Sequence, residues 1–97
     1  MISFKNKKIL ITGASGGIGV ELVKKFNSLG GSVLGAGTKT EKLDKLKKDF
    51  TNIKVKKFDI AEHSRIEEFI ENVSLELGGL DILINNAGTN VDNLSLR

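Results

Sequence analysis

Four glycines that follow a short apolar run are the residues of this sequence whose spacing could do chemistry. The run at 9–11 has strand length, the glycines stand at positions 13, 16, 17 and 19, and apolar residues then recur at helical spacing. A strand, a glycine turn and a helix leave free backbone N–H groups and the positive end of the helix dipole at the turn. The pattern therefore predicts a turn that holds a diphosphate; the alternative is a glycine-rich turn without a ligand.

The turn opens a longer alternation of strands and helices. Further strands are predicted at 32–36 and 80–84, which are mostly apolar, and at 53–56, where apolar and polar residues alternate as in a half-exposed strand. Helical patterns separate them at about 40–49 and 64–77. Such connections require parallel strands, and right-handed crossovers then give an open sheet. The predicted fold class is α/β, a Rossmann-type doubly wound parallel sheet of order β-α-β-α-β-α-β, with the glycine turn at the carboxyl end of strand one.

Helix boundaries are predicted from capping signals and glycines. Thr38 with Glu41, and Ser64 with Glu67, have capping-box spacing ahead of the second and third helices. Glycine pairs at 30–31 and 78–79 are typical helix ends. The apolar residues expected to face the core are Ile18, Leu22, Phe26 and Leu29 on the first helix, Leu43, Leu46 and Phe50 on the second, and Ile66, Phe69, Ile70, Val73 and Leu77 on the third.

Composition indicates one small folded domain. The 97 residues are 39% hydrophobic and 28% charged, contain no cysteine, and include no apolar run of membrane-spanning length. No secretory signal precedes the first strand, so we expect a cytoplasmic protein without disulfides or membrane segments. His63 lies among charged residues at a helix start, where a solvated side chain is expected rather than a catalytic one. No spacing suggests a metal site.

The net charge of +3 hides an asymmetry between the two parts of the chain. Thirteen lysines and four acids give residues 1–57 a charge of +9, whereas two arginines and eight acids give residues 58–97 a charge of −6. The lysines are spread over several elements, and the chain has no tyrosine or tryptophan to stack on bases. A solvated basic surface is therefore expected, and nucleic acid is not the expected partner.

The end of the second strand bears on the choice of cofactor. A Rossmann protein that prefers NAD usually has an acid there to bind the ribose 2′-hydroxyl, and residues 35–38 contain none. Thr38 and Lys39 could instead accommodate a 2′-phosphate. The sequence therefore favours NADP(H), with NAD(H) as the alternative; Thr38 could also serve only to cap the next helix.

Two motifs carry a resemblance to a known family. No register of the turn supplies G-x-G-x-x-G, but Thr12-Gly13-x-x-x-Gly17-x-Gly19 resembles the T-G-x-x-x-G-x-G signature of the short-chain dehydrogenase/reductase family. Asn85-Asn86-Ala87-Gly88 resembles that family's second signature. The resemblance implies a spatial strand order of 3-2-1-4, with further strands beyond the fourth in intact members. Many NADP-preferring members carry Arg or Lys in the turn, where this chain has Gly16.

The resemblance also implies which residues contact the dinucleotide. An Asp or Asn at the position of Asp59 would bind the adenine amino group while its neighbour packs on the ring, although Asp59 could equally be a turn residue. The implied cofactor-binding residues are Gly13, Ala14, Ser15, Gly16, Gly17, Ile18, Gly19, Thr38, Lys39, Asp59, Ile60, Asn86, Ala87 and Gly88.

The last twelve residues, 86–97, look like the corresponding stretch of the 3-oxoacyl-[acyl-carrier-protein] reductases of fatty acid biosynthesis. This implies an NADP(H)-dependent oxidoreductase that transfers hydride to the keto group of an acyl chain on its carrier protein. The alternatives are another short-chain dehydrogenase with a different keto or hydroxy substrate, or a catalytically inert dinucleotide-binding fragment.

The family's catalytic residues cannot be placed in this chain. The family uses a Ser, and a Tyr and Lys in Y-x-x-x-K, in which the phenol donates a proton as hydride arrives. This chain contains no tyrosine, and family members are more than twice as long. We therefore expect residues 1–97 to be the N-terminal part of a single Rossmann-fold domain, inactive alone and homo-oligomeric when intact.

Overall fold

Four strands and three α-helices alternate along residues 3–86, the part of the chain that the computed structural model describes. A single 3-10 turn, His63–Arg65, precedes the third helix. The strands are β1 (Lys8–Thr12), β2 (Ser32–Gly37), β3 (Lys54–Lys57) and β4 (Ile82–Asn85), and the helices are α1 (Gly17–Ser28), α2 (Thr40–Asp49) and α3 (Ile66–Leu77). The predicted order of elements is confirmed.

The strands form one parallel sheet in the order β3-β2-β1-β4. In the register, Ile9 of β1 lies between Val33 of β2 and Ile82 of β4. This register brings the carboxyl ends of the strands to one edge, where the turn after β1 meets the segments that follow the other three strands. The predicted fold class and strand order are confirmed.

Helices cover both faces of the sheet, as a doubly wound fold requires. On one face, α1 and α2 contribute Val23, Leu43 and Leu46 to a core with Ile9 and Ile11. On the other face, α3 packs its buried residues against Leu10 and Leu34 of the sheet; these α3 residues are Phe69, Val73 and Leu77. β1 and β2 each supply apolar side chains to both cores, so they are the two central strands of the described sheet.

The predicted helix caps are wrong. The N-cap residues are Lys39 for α2 and Arg65 for α3, and neither makes a side-chain capping hydrogen bond. Ser64 lies inside the 3-10 turn, one residue too early to cap α3. The glycine ends are confirmed, because Gly30 and Gly78 adopt φ values of +91° and +79°, which favour glycine.

Two apolar residues, Ile18 and Leu80, depart from what the sequence predicts. Ile18 was expected on the buried face of α1, but it is 51% exposed because it lies in the first turn of the helix, at the edge of the glycine turn. Leu75, on the outer face of α3, is 77% exposed. Leu80 was expected in the last strand but precedes β4, which begins at Ile82.

Among the described helices, none has the length and apolar character needed to span a membrane.

Candidate functional site

A cleft of about 360 Å³ opens at the edge of the sheet where the strands end. It lies between the glycine turn, the end of β2, the segment after β3 and the end of β4. Its lining residues are Thr12, Gly13, Ser15, Gly16, Gly17, Ile18, Ala36, Gly37, Thr38, Phe58, Asp59, Ile60 and Asn86. The fold therefore brings together most of the residues that the sequence singles out, from four separate segments of the chain.

The glycine turn folds back onto the neighbouring strand. Gly13 has a φ of +66°, and its carbonyl oxygen accepts a hydrogen bond of 3.2 Å from the N–H of Gly16. The N–H of Ala14 donates to the carbonyl oxygen of Ala36 in β2 at 2.9 Å. These bonds hold the turn rigidly against β2 while the start of α1 faces the cleft.

The glycines of the turn serve two different needs. A Cβ atom on Gly19 would lie 1.9 Å from the carbonyl oxygen of Gly13, so Gly19 is required for helix and turn to pack. A Cβ on Gly16 would come no closer than 3.6 Å to its nearest neighbour, and one on Gly17 would meet nothing within 4 Å. Since Gly16 and Gly17 both line the cleft, their missing side chains leave space for a ligand close to the backbone.

The start of α1 has hydrogen-bond donors that a ligand in the cleft could use. The N-cap residue of α1 is Gly16, no side chain in residues 3–86 caps that end, and the first turn of the helix contains no acid. The N–H groups of a helix's first turn have no acceptor within the helix. The Ser15 hydroxyl, in a residue only 9% exposed, makes no hydrogen bond within the described residues and lines the same cleft. The turn therefore presents donors without competing negative charge, which suits an anion.

The end of β2 is close to the turn and carries no carboxylate. A Cβ on Gly37 would lie 2.8 Å from the Ser15 hydroxyl oxygen and 3.2 Å from the Ser15 backbone nitrogen, so a side chain there would require Ser15 to shift. Thr38 is exposed beside the cleft, and its hydroxyl makes no hydrogen bond within residues 3–86. Because Lys39 and not Thr38 is the N-cap of α2, the capping role considered for Thr38 is not observed. Lys39 itself does not line the cleft.

The segment after β3 closes the far side of the cleft. Asp59 Oδ1 accepts a hydrogen bond of 2.9 Å from the N–H of Ala61, so this carboxylate does stabilise its own turn. Phe58 was not expected at the site. Its ring stacks on that of Phe69 with the centroids 4.0 Å apart, and its N–H donates to the carbonyl oxygen of Gly37 at 2.9 Å. These contacts fix the wall of the cleft to both α3 and β2.

Asn86 ties the end of β4 to the glycine turn. Its side-chain Nδ2 donates a hydrogen bond of 3.4 Å to the carbonyl oxygen of Gly13. At the last residues of the two strands, the Thr12 hydroxyl donates to the Asn85 side-chain oxygen at 3.0 Å, which joins β1 to β4 beneath the cleft. The two asparagines therefore serve the architecture of the site, whatever else Asn86 contacts.

Several expected residues lie elsewhere. Ala14 and Gly19 are buried behind the turn rather than in the lining, and Ala87 and Gly88 lie outside the described residues. His63 is exposed and borders a largely apolar groove of about 670 Å³ beside α3 and β4, which adjoins the cleft at Thr12, Asp59 and Ile60. Within residues 3–86 no group of three or more His, Cys, Asp or Glu side chains could hold a metal ion.

Four lining residues were missed by the sequence analysis, namely Thr12, Ala36, Gly37 and Phe58. All four stand at or just beyond the ends of predicted strands. Their position at the carboxyl edge of a parallel sheet is the signal that could have identified them.

Comparison with known proteins assigns this chain to a family. The family model for short chain dehydrogenases matches residues 7–96. The uncharacterized oxidoreductase DltE of Bacillus subtilis is 40% identical over 83 residues, which are 86% of this chain and 33% of that protein. The 3-oxoacyl-[acyl-carrier-protein] reductase FabG of Salmonella typhimurium is 38% identical over 98 residues, 99% of this chain and 40% of the reductase.

A solved structure agrees with these sequence relatives. A short chain dehydrogenase from Bacillus anthracis superposes with a TM-score of 0.78 and 33% identity, over 89% of this chain and 36% of that protein. The chain belongs to the short-chain dehydrogenase family, whose members are oxidoreductases that bind a nicotinamide dinucleotide. It spans between about a third and two fifths of the length of these relatives.

Proposed function

We propose that the cleft holds NADP(H) and that the protein is an NADP(H)-dependent short-chain reductase acting on a 3-oxoacyl thioester. The proposal that the cleft binds a dinucleotide rests on the structure of the glycine turn. It combines free helix N–H groups, an unpartnered Ser15 hydroxyl and two glycines whose side-chain positions open into the cleft. A diphosphate needs donors, close backbone approach and no negative charge, and this turn meets each requirement.

The rest of the dinucleotide is proposed to run along the strand ends. The adenosine would lie towards Asp59 and Ile60, and the nicotinamide side towards Asn86 and the residues that follow it. As binding residues we retain those that line the cleft. They are Gly13, Ser15, Gly16, Gly17, Ile18, Thr38, Asp59, Ile60 and Asn86. Ala14 and Gly19 would support the turn from behind, whereas Lys39, Ala87 and Gly88 stay predictions.

A preference for NADP(H) over NAD(H) is proposed from the end of β2. An acidic residue there would repel a 2′-phosphate, and residues 35–38 contain none. Instead, the Thr38 hydroxyl stands beside the cleft with its hydrogen-bonding capacity unused within residues 3–86.

The chemistry is divided between the cofactor and the protein. When bound, NADPH supplies hydride, and the residues described here bind it, orient it and fix the glycine turn against the sheet. These 97 residues contain no tyrosine, so we propose that they do not catalyse the reduction alone. We also propose that residues 1–97 form the N-terminal part of a single dinucleotide-binding domain in a homo-oligomeric enzyme.

The 3-oxoacyl substrate is proposed from the similarity to the Salmonella reductase, which covers nearly the whole chain. On this proposal the partner that delivers the substrate is an acyl carrier protein, and the pathway is fatty acid biosynthesis. Other short-chain dehydrogenase substrates remain the alternative, because the described residues bind the cofactor rather than the acyl chain.

Calorimetric titration with NADPH and NADH tests the cofactor proposal. We expect NADPH to bind more tightly. Gly17→Asp keeps the fold, since Gly17 has open space and an acid suits a helix start, but it places a carboxylate at the diphosphate. We expect this variant to lose at least about tenfold in affinity for both dinucleotides, equivalent to about 1.4 kcal/mol.

The neutral variant Gly17→Asn is the matched control, because it adds nearly the same volume without the charge. It should retain more affinity than Gly17→Asp. Equal affinities for the parent protein and both variants would show that the diphosphate does not lie at this turn.

A further inference from the structure

A second, more polar pocket of about 470 Å³ adjoins the cleft. It shares Thr38, Phe58 and Asp59 with the cleft and adds three charged residues, Lys57, Glu62 and Arg65. We call these six residues the side pocket. Since Thr38 and Asp59 border both spaces, a group attached to a ligand in the cleft can reach the side pocket.

Positive charge is found in the side pocket and not in the cleft. None of the residues that line the cleft within the described chain is a lysine or an arginine. The glycine turn contributes no cation, and Lys39 borders neither space. An anionic group near Thr38 that needs a cationic partner would therefore find it in Lys57 and Arg65.

The Lys57 side chain is free to bind such an anionic group. It is the last residue of β3, opposite Gly37 in the register, which places it beside the end of β2 where Thr38 follows. The residue is exposed, and its ammonium makes no hydrogen bond or ion pair within residues 3–86.

Arg65 is only partly engaged. Its Nη1 lies 3.5 Å from Glu62 Oε2, and the two side chains are 63% and 49% exposed. An exposed pair of this kind is weak, and the guanidinium retains other donors. The second acid of the pocket, Asp59, accepts the N–H of Ala61. The pocket therefore holds two cations and two carboxylates, and both carboxylates have a hydrogen-bond partner, whereas Lys57 has none in the described chain.

We propose that Lys57 and Arg65, together with the Thr38 hydroxyl, form the site for the 2′-phosphate of NADP(H). The inference rests on the proposed function and assigns the discrimination between NADP(H) and NAD(H) to the end of β3 and the 3-10 turn, rather than to the glycine turn. Glu62 weakens binding of the 2′-phosphate, because its carboxylate competes with the phosphate for Arg65.

Calorimetric titration of NADP⁺ and NAD⁺ against four variants tests the assignment. Lys57→Gln and Arg65→Gln should each lower the ratio of NADP⁺ to NAD⁺ affinity by about fivefold to tenfold, since each removes a charge-assisted contact to phosphate. Glu62→Gln should raise that ratio. Lys54→Gln is the matched control: it removes an exposed lysine from the same strand outside the side pocket and should leave the ratio unchanged.

Affinity for NAD⁺ serves as the internal measure of an intact cleft, because NAD⁺ has no 2′-phosphate. Unchanged ratios in Lys57→Gln and Arg65→Gln, with both dinucleotides still bound, would overturn the assignment and leave the proposed function standing. A parent protein that binds neither dinucleotide would overturn the proposed function and the assignment with it.

Discussion

Gly17 and Gly19 stand two residues apart in α1, yet a side chain would meet different surroundings at each. At Gly19 a Cβ would overlap the carbonyl oxygen of Gly13, a backbone atom of the turn that cannot rotate away. At Gly17 the same atom would enter open space at the cleft. One glycine is therefore a requirement of packing, and the other is available to a ligand.

This difference predicts opposite effects on stability. Gly19→Ala should lower the free energy of unfolding by about 3 kcal/mol, because the turn or the helix must shift to relieve the overlap. Gly17→Ala should raise it slightly, by up to about 1 kcal/mol, since alanine is the better helix former. Urea unfolding followed by circular dichroism measures both. Similar losses in the two variants would contradict the distinction.

At the scale of elements, α3 shows how a periodic pattern determines packing. Its residues at 69, 73 and 77 are buried against the sheet, as their spacing predicts. Leu75 points away from that face and is 77% exposed, whereas Val73 is completely buried. The apolar character of a residue is therefore a weaker predictor of burial than its position in the period.

Truncating Val73 and Leu75 to alanine should lower the free energy of unfolding by different amounts. Val73→Ala removes buried methyl groups and should reduce the free energy of unfolding by about 2 kcal/mol. Leu75→Ala removes a larger group from the surface and should change it by less than about 0.5 kcal/mol. Thermal unfolding of the two variants provides the comparison. A larger loss for Leu75→Ala would mean that the outer face of α3 is covered by another part of the protein.

The elements could be predicted from sequence because each depends on local periodicity and glycine. The start of α2 was also predicted, but the capping residues were not. Ser64 has the right spacing for a capping box, yet the chain enters α3 through a 3-10 turn and Arg65 is the N-cap. Ile18 was mispredicted for a different reason: it has helical spacing but lies in the first turn of α1, where it lines the cleft.

The candidate site was predictable to the extent that strand ends are predictable. Gly13, Thr38, Asp59 and Asn86 each follow an apolar run, and a parallel sheet brings such positions to one edge. The side pocket was not predictable in this way. Lys57 and Arg65 stand in a strand and a turn without any shared motif, and only the crossing of β3 into α3 brings them beside Thr38.

At the scale of the molecule, the strands of the described sheet are unequally supported. β1 pairs with both β2 and β4, and Ile9, Leu10 and Ile11 are completely buried between the two cores. β3 pairs, among the described strands, with β2 only, and its residues Lys54–Lys57 are exposed or half-buried. Opening β3 therefore exposes little apolar surface, whereas opening β1 disrupts both cores.

Amide hydrogen exchange should reveal this order. We expect the hydrogen-bonded amides of β1 to exchange only through global unfolding and those of β3 to exchange faster, through local opening. NADP⁺ at saturating concentration should slow the amides of the glycine turn and of the segment after β3 more than it slows the exposed face of α2. NMR-detected exchange in low concentrations of urea measures these rates residue by residue. Equal rates in β1 and β3 would contradict the expected order, because they would show that the sheet opens only as one unit.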